Sequence, residues 1–191
     1  MNCSWRGAAT MRGVQTIRAS AHYARAIEAV AELLGKLRLD YAFLGGVARS
    51  AWLGGIADAG SVDVLAVMGP QQKSQVAMMA SNRGFRVERE ELDRTEELDL
   101  VPLWFADAEG DVRVHVLVAS NALYGRMVAA GVPAEFRERT VKVPTAEDLA
   151  LLMMISADEE SVLALSAQTD FDRDAYNGKL TSIGLAEHVI R

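Results

Sequence analysis

Cysteine is almost absent from this sequence: Cys3 is the only one in 191 residues. An intrachain disulfide is therefore excluded, and a reducing, cytoplasmic setting is the expectation. Long apolar runs are absent as well, so no segment is expected to span a bilayer and no membrane partner is expected. No long basic block occurs, and the formal net charge is −6, which argues against a large nucleic-acid footprint. Internal repeats, low-complexity segments and dividing linkers are missing too. What remains is a chain that is 50% hydrophobic, enough for one domain with a sizeable core. That domain is expected over residues 20–191. Ahead of it, residues 1–19 carry Arg6, Arg12 and Arg18 and no acid, and are expected to form a loose N-terminal arm.

Periodicity orders the chain. Tyr23, Ile27, Val30, Leu34 and Leu37 recur at three- and four-residue steps, one apolar face of a helix that Ser20 would cap. Short apolar runs at Tyr41–Leu44, Ser61–Met68, Val101–Ala106 and Val112–Ala119 read as strands, the last two joined by a hairpin turn through Asp107, Glu109, Gly110 and Asp111. Pro70 opens a helix to Asn82, and Phe85–Glu88 suggests a short strand. The charge-dense run Arg86–Glu97 reads as a solvated loop. Asn121–Ala130 is expected to be helical, Arg139–Val143 a last strand, and Thr145 the cap of a further helix with Asp148 closing a capping box. Ser161–Gln168 and Arg173–Arg191 read as two more helices. The sheet core is thus expected over about 38–143 and the helical C-terminal part over about 145–191.

The stretch that organises the rest is Asp40–Met68, DYAFLGGVARSAWLGGIADAGSVDVLAVM. A strand breaks at Gly45-Gly46, a short helix follows over Val47–Leu53, and after a small-residue loop comes a strand with Asp63 near its start. Glycines at a strand-to-helix turn let the backbone approach a ligand, and the helix N–H groups beyond them favour an anion. Alternation puts Asp63 and Leu65 on one face of their strand; on Val112–Ala119 it puts Arg113, His115 and Leu117 on one face and the valines on the other.

This order resembles the nucleotidyltransferase superfamily, in particular its small bacterial branch of minimal nucleotidyltransferases and abortive-infection toxins. The resemblance rests on Gly45-Gly46, on Ser61-Val62-Asp63, on VRVHVLVAS and on Thr145-Ala146-Glu147-Asp148-Leu149, and covers most of Leu33–Met154. It implies an α/β (α+β) fold, a mixed sheet flanked by helices, with a helical C-terminal part. It also implies three acidic positions, which in this chain hold Asp63, Leu65 and His115. The lysine expected on the Thr145 helix falls at Met153 or Met154.

The family's carboxylates hold Mg²⁺ ions that activate an attacking hydroxyl and stabilise the leaving pyrophosphate. Here one acid of three survives. Leucine cannot ligate, and imidazole suits Zn, Cu, Fe or Ni better than Mg²⁺. The expectation is a nucleotidyltransferase-fold protein with an eroded metal site, binding a nucleotide, a protein partner or its own copy. Gly45, Gly46, Arg49 and Ser61 are its candidate nucleotide-binding residues, Asp63 its remnant acid and sole candidate metal ligand. Mg²⁺ enters only in the alternative, an active transferase moving a nucleoside monophosphate to a hydroxyl with Asp63 and a compensating acid such as Asp58. Asp63 and His115 are expected to meet in a hydrogen bond or ion pair on one sheet face.

Overall fold

The computed structural model describes residues 13–58, 60–88 and 99–190. Helix α1 (Ala21–Lys36) buries Tyr23, Ile27, Val30 and Leu34 of the expected stripe together with Leu33, while Leu37 stands at its C-cap, half-buried. Ser20 stands at its N-cap, but its hydroxyl turns to His22 Nδ1 at 3.3 Å instead of capping a backbone N–H. The chain then runs through β1 (Asp40–Phe43), α2 (Gly45–Leu53), β2 (Ser61–Val67), α3 (Pro70–Ser81), β3 (Phe85–Arg86), β4 (Leu100–Asp107) and β5 (Gly110–Val118). After these come α4 (Ala122–Ala130), β6 (Val132–Phe136), β7 (Arg139–Val143), α5 (Ala146–Ile155), α6 (Glu159–Ser166) and α7 (Arg173–Ser182).

The main sheet has five strands in the order β1-β2-β5-β4-β3. Among the described residues of this sheet only the β2–β5 pairing is parallel; β1–β2, β4–β5 and β3–β4 are antiparallel. A parallel pair needs a crossover, and the chain between β2 and β5 supplies it through α3, β3 and β4. One face of the sheet is lined by Val62, Val64, Val112, Val114, Val116, Val101 and Leu103, all buried. The C-terminal helices α5, α6 and α7 form the expected helical part, and α2 packs against the first two. This is a mixed α/β architecture with helices around one sheet.

Several expectations change. Helix α2 begins at Gly45, so both glycines belong to its first turn. Strand β6 was not foreseen: Pro133 weakens its β signal, but β6 pairs only with β7, and the Pro133–Lys142 position lies in a two-stranded ribbon where a missing N–H is tolerated. The last helix stops at Ser182, before Gly184 at φ +82°, and only a 3₁₀ turn, Ala186–His188, follows. The expected loose arm is seated in its described part: Ile17 is buried, and the N–H groups of Gln15 and Ile17 donate to the carbonyls of Ala51 and Glu135. An apolar side chain and free backbone groups at the end of α2 and on β6 hold it down. The charged run continues past Glu88 into residues 89–98, and Glu90, Glu91, Asp93, Glu96 and Glu97 lie outside the described residues. Among the described residues no helix is long and apolar enough to cross a membrane.

Candidate functional site

The candidate residues converge where β1 ends. The Leu44 N–H donates to the Asp63 carbonyl at 2.8 Å, the last link between the two strands, and the chain turns at once into α2. Gly45 adopts φ +52°, which favours glycine. A Cβ there would stand 2.7 Å from Asp63 Oδ2. The first glycine is therefore required twice, by its backbone conformation and by the carboxylate pressed against it.

Asp63 sits on β2 directly opposite His115 on β5. Its Oδ1 accepts from the Ser61 hydroxyl at 2.8 Å and lies 2.8 Å from His115 Nδ1. Both side chains are about one quarter exposed, 26% for His115 and 27% for Asp63, so the pair is partly buried. Burial pushes the Asp63 carboxyl up, but the bonds from His115 and Ser61 and the histidine's charge outweigh it, and the carboxyl is held below its ordinary value. The anion is the resting form of this group.

Leu65 lies on the same face two residues on, in contact register with Leu117 and Ala42, and is only 3% exposed. It is a core residue. Arg49 is exposed and makes no hydrogen bond or ion pair with Asp63, Ser61 or His115. Gly45 and Ser61 lie against Asp63; Gly46 follows in the first turn of α2, and Arg49 stands apart. Asp58 Oδ1 accepts from the Ser20 N–H at 2.9 Å, tying the α2–β2 loop to the start of α1.

One residue that periodicity hid belongs here. Tyr23 reads as part of an apolar helix face, and it is buried. Its phenol is pushed up first by burial and then by the charges of Asp58 and Asp63, so it stands within electrostatic reach of both carboxylates. A tyrosine on a helix stripe carries no sequence signal of this kind.

The Thr145 segment does something else. Thr145 Oγ1 accepts from the Asp148 N–H at 3.2 Å, as a cap should. The Asp148 carboxylate, 2% exposed, does not reach back to the cap's N–H to complete a box; it pairs with Lys179 on α7. Glu147 accepts from the Asp172 N–H at 2.9 Å and so anchors the start of that helix. Met153 and Met154 pack against the core.

Solved structures supply the class. The antigenic nucleotidyltransferase-like protein from Paracoccidioides brasiliensis matches over 86% of this chain and 90% of its own, with a TM-score of 0.56 at 13% identity. ANT(2″)-Ia, solved in complex with adenylyl-2″-tobramycin, matches over 87% of this chain and 92% of its own, with a TM-score of 0.47 at 18% identity. No protein-family model and no curated protein sequence matches the chain. The protein has a nucleotidyltransferase-like fold, and within it Asp63, His115 and the Gly45-Gly46 turn form the candidate site.

Proposed function

We propose that this protein binds a nucleotide at the Gly45–Asp63 corner without metal-dependent nucleotidyl transfer. The observation that carries the reading is the chemistry of the donor set. Magnesium wants an octahedron of oxygens, usually with more than one carboxylate or with substrate phosphates in place. Here Asp63 Oδ1 is already engaged by Ser61 and His115, Oδ2 lies against Gly45, and the neighbouring position on the same face is the buried Leu65. Among the described residues no three of His, Cys, Asp and Glu stand close enough together to hold a metal ion. These residues do not fit Mg²⁺. They do fit a fixed polar centre beside a helix N-terminus, where backbone N–H groups favour an anion such as a phosphate.

A second reading rests on a separate observation. Asp58 and Asp63 both act on the Tyr23 phenol, which makes Asp58 the candidate compensating acid. In that reading the two share a metal and transfer survives. The deciding experiment is titration of the purified protein with ATP, GTP, CTP and UTP, each with Mg²⁺ or Mn²⁺ and each with a chelator. Binding that survives the chelator, without turnover, supports the first reading. Mg²⁺-dependent transfer of labelled nucleotide that Asp63→Ala abolishes overturns it in favour of the second. Binding of no nucleotide overturns both and leaves a protein partner or a second copy of the chain as the ligand class.

A further inference from the structure

The Asp63–His115 contact fixes more than a position. A carboxylate offers only lone pairs, so a hydrogen bond from the imidazole to it requires the proton to be on Nδ1. Nδ1 lies 2.8 Å from Asp63 Oδ1, and the Ser61 hydroxyl donates to the same oxygen, holding the carboxylate in place. In the neutral ring the second nitrogen, Nε2, then carries the lone pair. Nε2 has no hydrogen-bond partner among the described residues, and the side chain is 26% exposed. Pro102, across on β4, offers no N–H or side-chain donor to it.

We propose that His115 is a metal-free proton-accepting centre, held by Asp63 as the Nδ1–H tautomer and presenting its Nε2 lone pair to a ligand hydroxyl. Asp63 is a positioning residue in this arrangement: it fixes the ring and the tautomer and does not itself meet the ligand. The ligand class follows from the chemistry. An unengaged Nε2 lone pair selects a molecule with an O–H donor, such as a sugar hydroxyl, over a bare anion. The inference rests on the reading of this corner as a binding site, but its first test does not require any ligand.

The charged and titratable groups around the ring are few. Asp63 is on β2, Arg113 is two residues along β5 on the same face, and the Tyr23 phenol of α1 lies within electrostatic reach of Asp63. Arg113 stacks on Trp104 of β4, with its guanidinium 5.0 Å from the ring centre.

Nitrogen-15 correlation spectra of the whole chain at neutral pH report the tautomer directly. The expected result is a pyrrole-type Nδ1 and a pyridine-type Nε2 for His115, changing to a mixture of tautomers in Asp63→Ala. Ser61→Ala, which keeps the carboxylate, should retain the natural pattern if Asp63 alone sets it. A protonated Nε2 in the natural protein, or a tautomer indifferent to Asp63→Ala, overturns the proposal. Should Asp63→Ala fail to fold, the reactivity of the natural protein decides. Diethyl pyrocarbonate acylates an imidazole through its unprotonated nitrogen, so His115 should be modified at Nε2, and absence of modification there overturns the proposal. Failure of nucleotide binding in the calorimeter with the tautomer intact removes the proposed nucleotide function and leaves the dyad. An Nε2–H tautomer with nucleotide still bound does the reverse.

Discussion

Two neighbouring rows of one sheet face differ sharply. One row reads Pro102, His115, Asp63 across β4, β5 and β2; the other, about 7 Å along the strands, reads Leu100, Leu117, Leu65 and continues to Ala42 on β1. In the first, Asp63 and His115 are about one quarter exposed beside a buried Pro102; in the second, Leu65 is 3% exposed. The cause is the length of β1. That strand pairs as far as Val64 and then turns at Gly45, so Leu65 has a strand on either side, while Asp63 borders the turn. A charge is tolerated where a strand ends, because the turn leaves room for partners and water. One step inward the same charge would face packed side chains. The candidate site is thus a corner one residue deep, and Leu65, two residues along the same face from Asp63, is part of the core.

The largest effect should come from forcing the polar row inward. Leu65→Asp places a carboxylate among apolar neighbours with no partner, and should cost about 3–5 kcal/mol of stability, the usual loss for an uncompensated buried charge. Denaturant unfolding measures it. Combining it with His115→Asp should recover part of that loss only when Mg²⁺ is added, since convergent carboxylates then share a metal. A double variant that gains no stability from Mg²⁺ would show that the corner's shape, and not its ligand count, decides metal binding.

A smaller effect is expected from filling the corner. Gly45→Ala meets Asp63 Oδ2 at 2.7 Å and forces an alanine to φ +52°. A cost of about 1–3 kcal/mol is expected for such a strained residue, read from the urea midpoint. The His115 resonances should move with it, because the carboxylate must shift. The neighbouring Gly46, whose added Cβ would meet nothing closer than Ala57 Cα at 3.9 Å, should tolerate alanine.

Acid sharpens the same contrast. The Asp63 carboxyl is held below its ordinary value when folded, although burial opposes this, because His115 and Ser61 bond the anion. The unfolded chain therefore takes up this proton first as pH falls. The stability that Asp63 contributes is complete above its unfolded pKa of about 4 and is lost as pH drops through the lower folded value. Asp63→Asn should be less stable than the natural protein at neutral pH and should lose less between about pH 5 and the acid limit. Parallel acid limbs for the two proteins would remove Asp63 from the linkage. Asp107, on the far hairpin, is also held low, chiefly by its bond from Arg25, so only the difference between the two proteins is informative.

The smallest change is Ser61→Ala. It removes one hydroxyl donor from a carboxylate that keeps its histidine, and should cost about 1 kcal/mol. The acid limb should begin at slightly higher pH, since one bond favouring the anion is gone.

Much of this was readable in advance. The alternation of VRVHVLVA sets valines on one face and Arg113, His115 and Leu117 on the other, and the structure has them so. The resemblance to the superfamily placed Asp63 and His115 on adjacent strands, and the two stand in register. Other features were not readable. Asp58 reaches Ser20 across 38 residues, and Asp148 meets Lys179 across 31. Nothing near either aspartate names its partner. Tyr23 was lost among the apolar residues of α1, because a helix stripe records burial and not what the phenol faces.

By itself the sequence determined the local conformations and the faces: the helix stripe of α1, the two-residue alternation of β2 and β5, the proline start of α3 and the glycine turn after β1. Each follows from side-chain period or backbone sterics within a few residues. Only the tertiary structure decided which acid is exposed and which position is core, and that Asp63 is bound to His115 and Ser61 while Asp58 serves the start of α1. These depend on where β1 stops relative to β2 and on the register of β2 against β5, and register joins segments about 50 residues apart whose local patterns are each satisfied by any even shift.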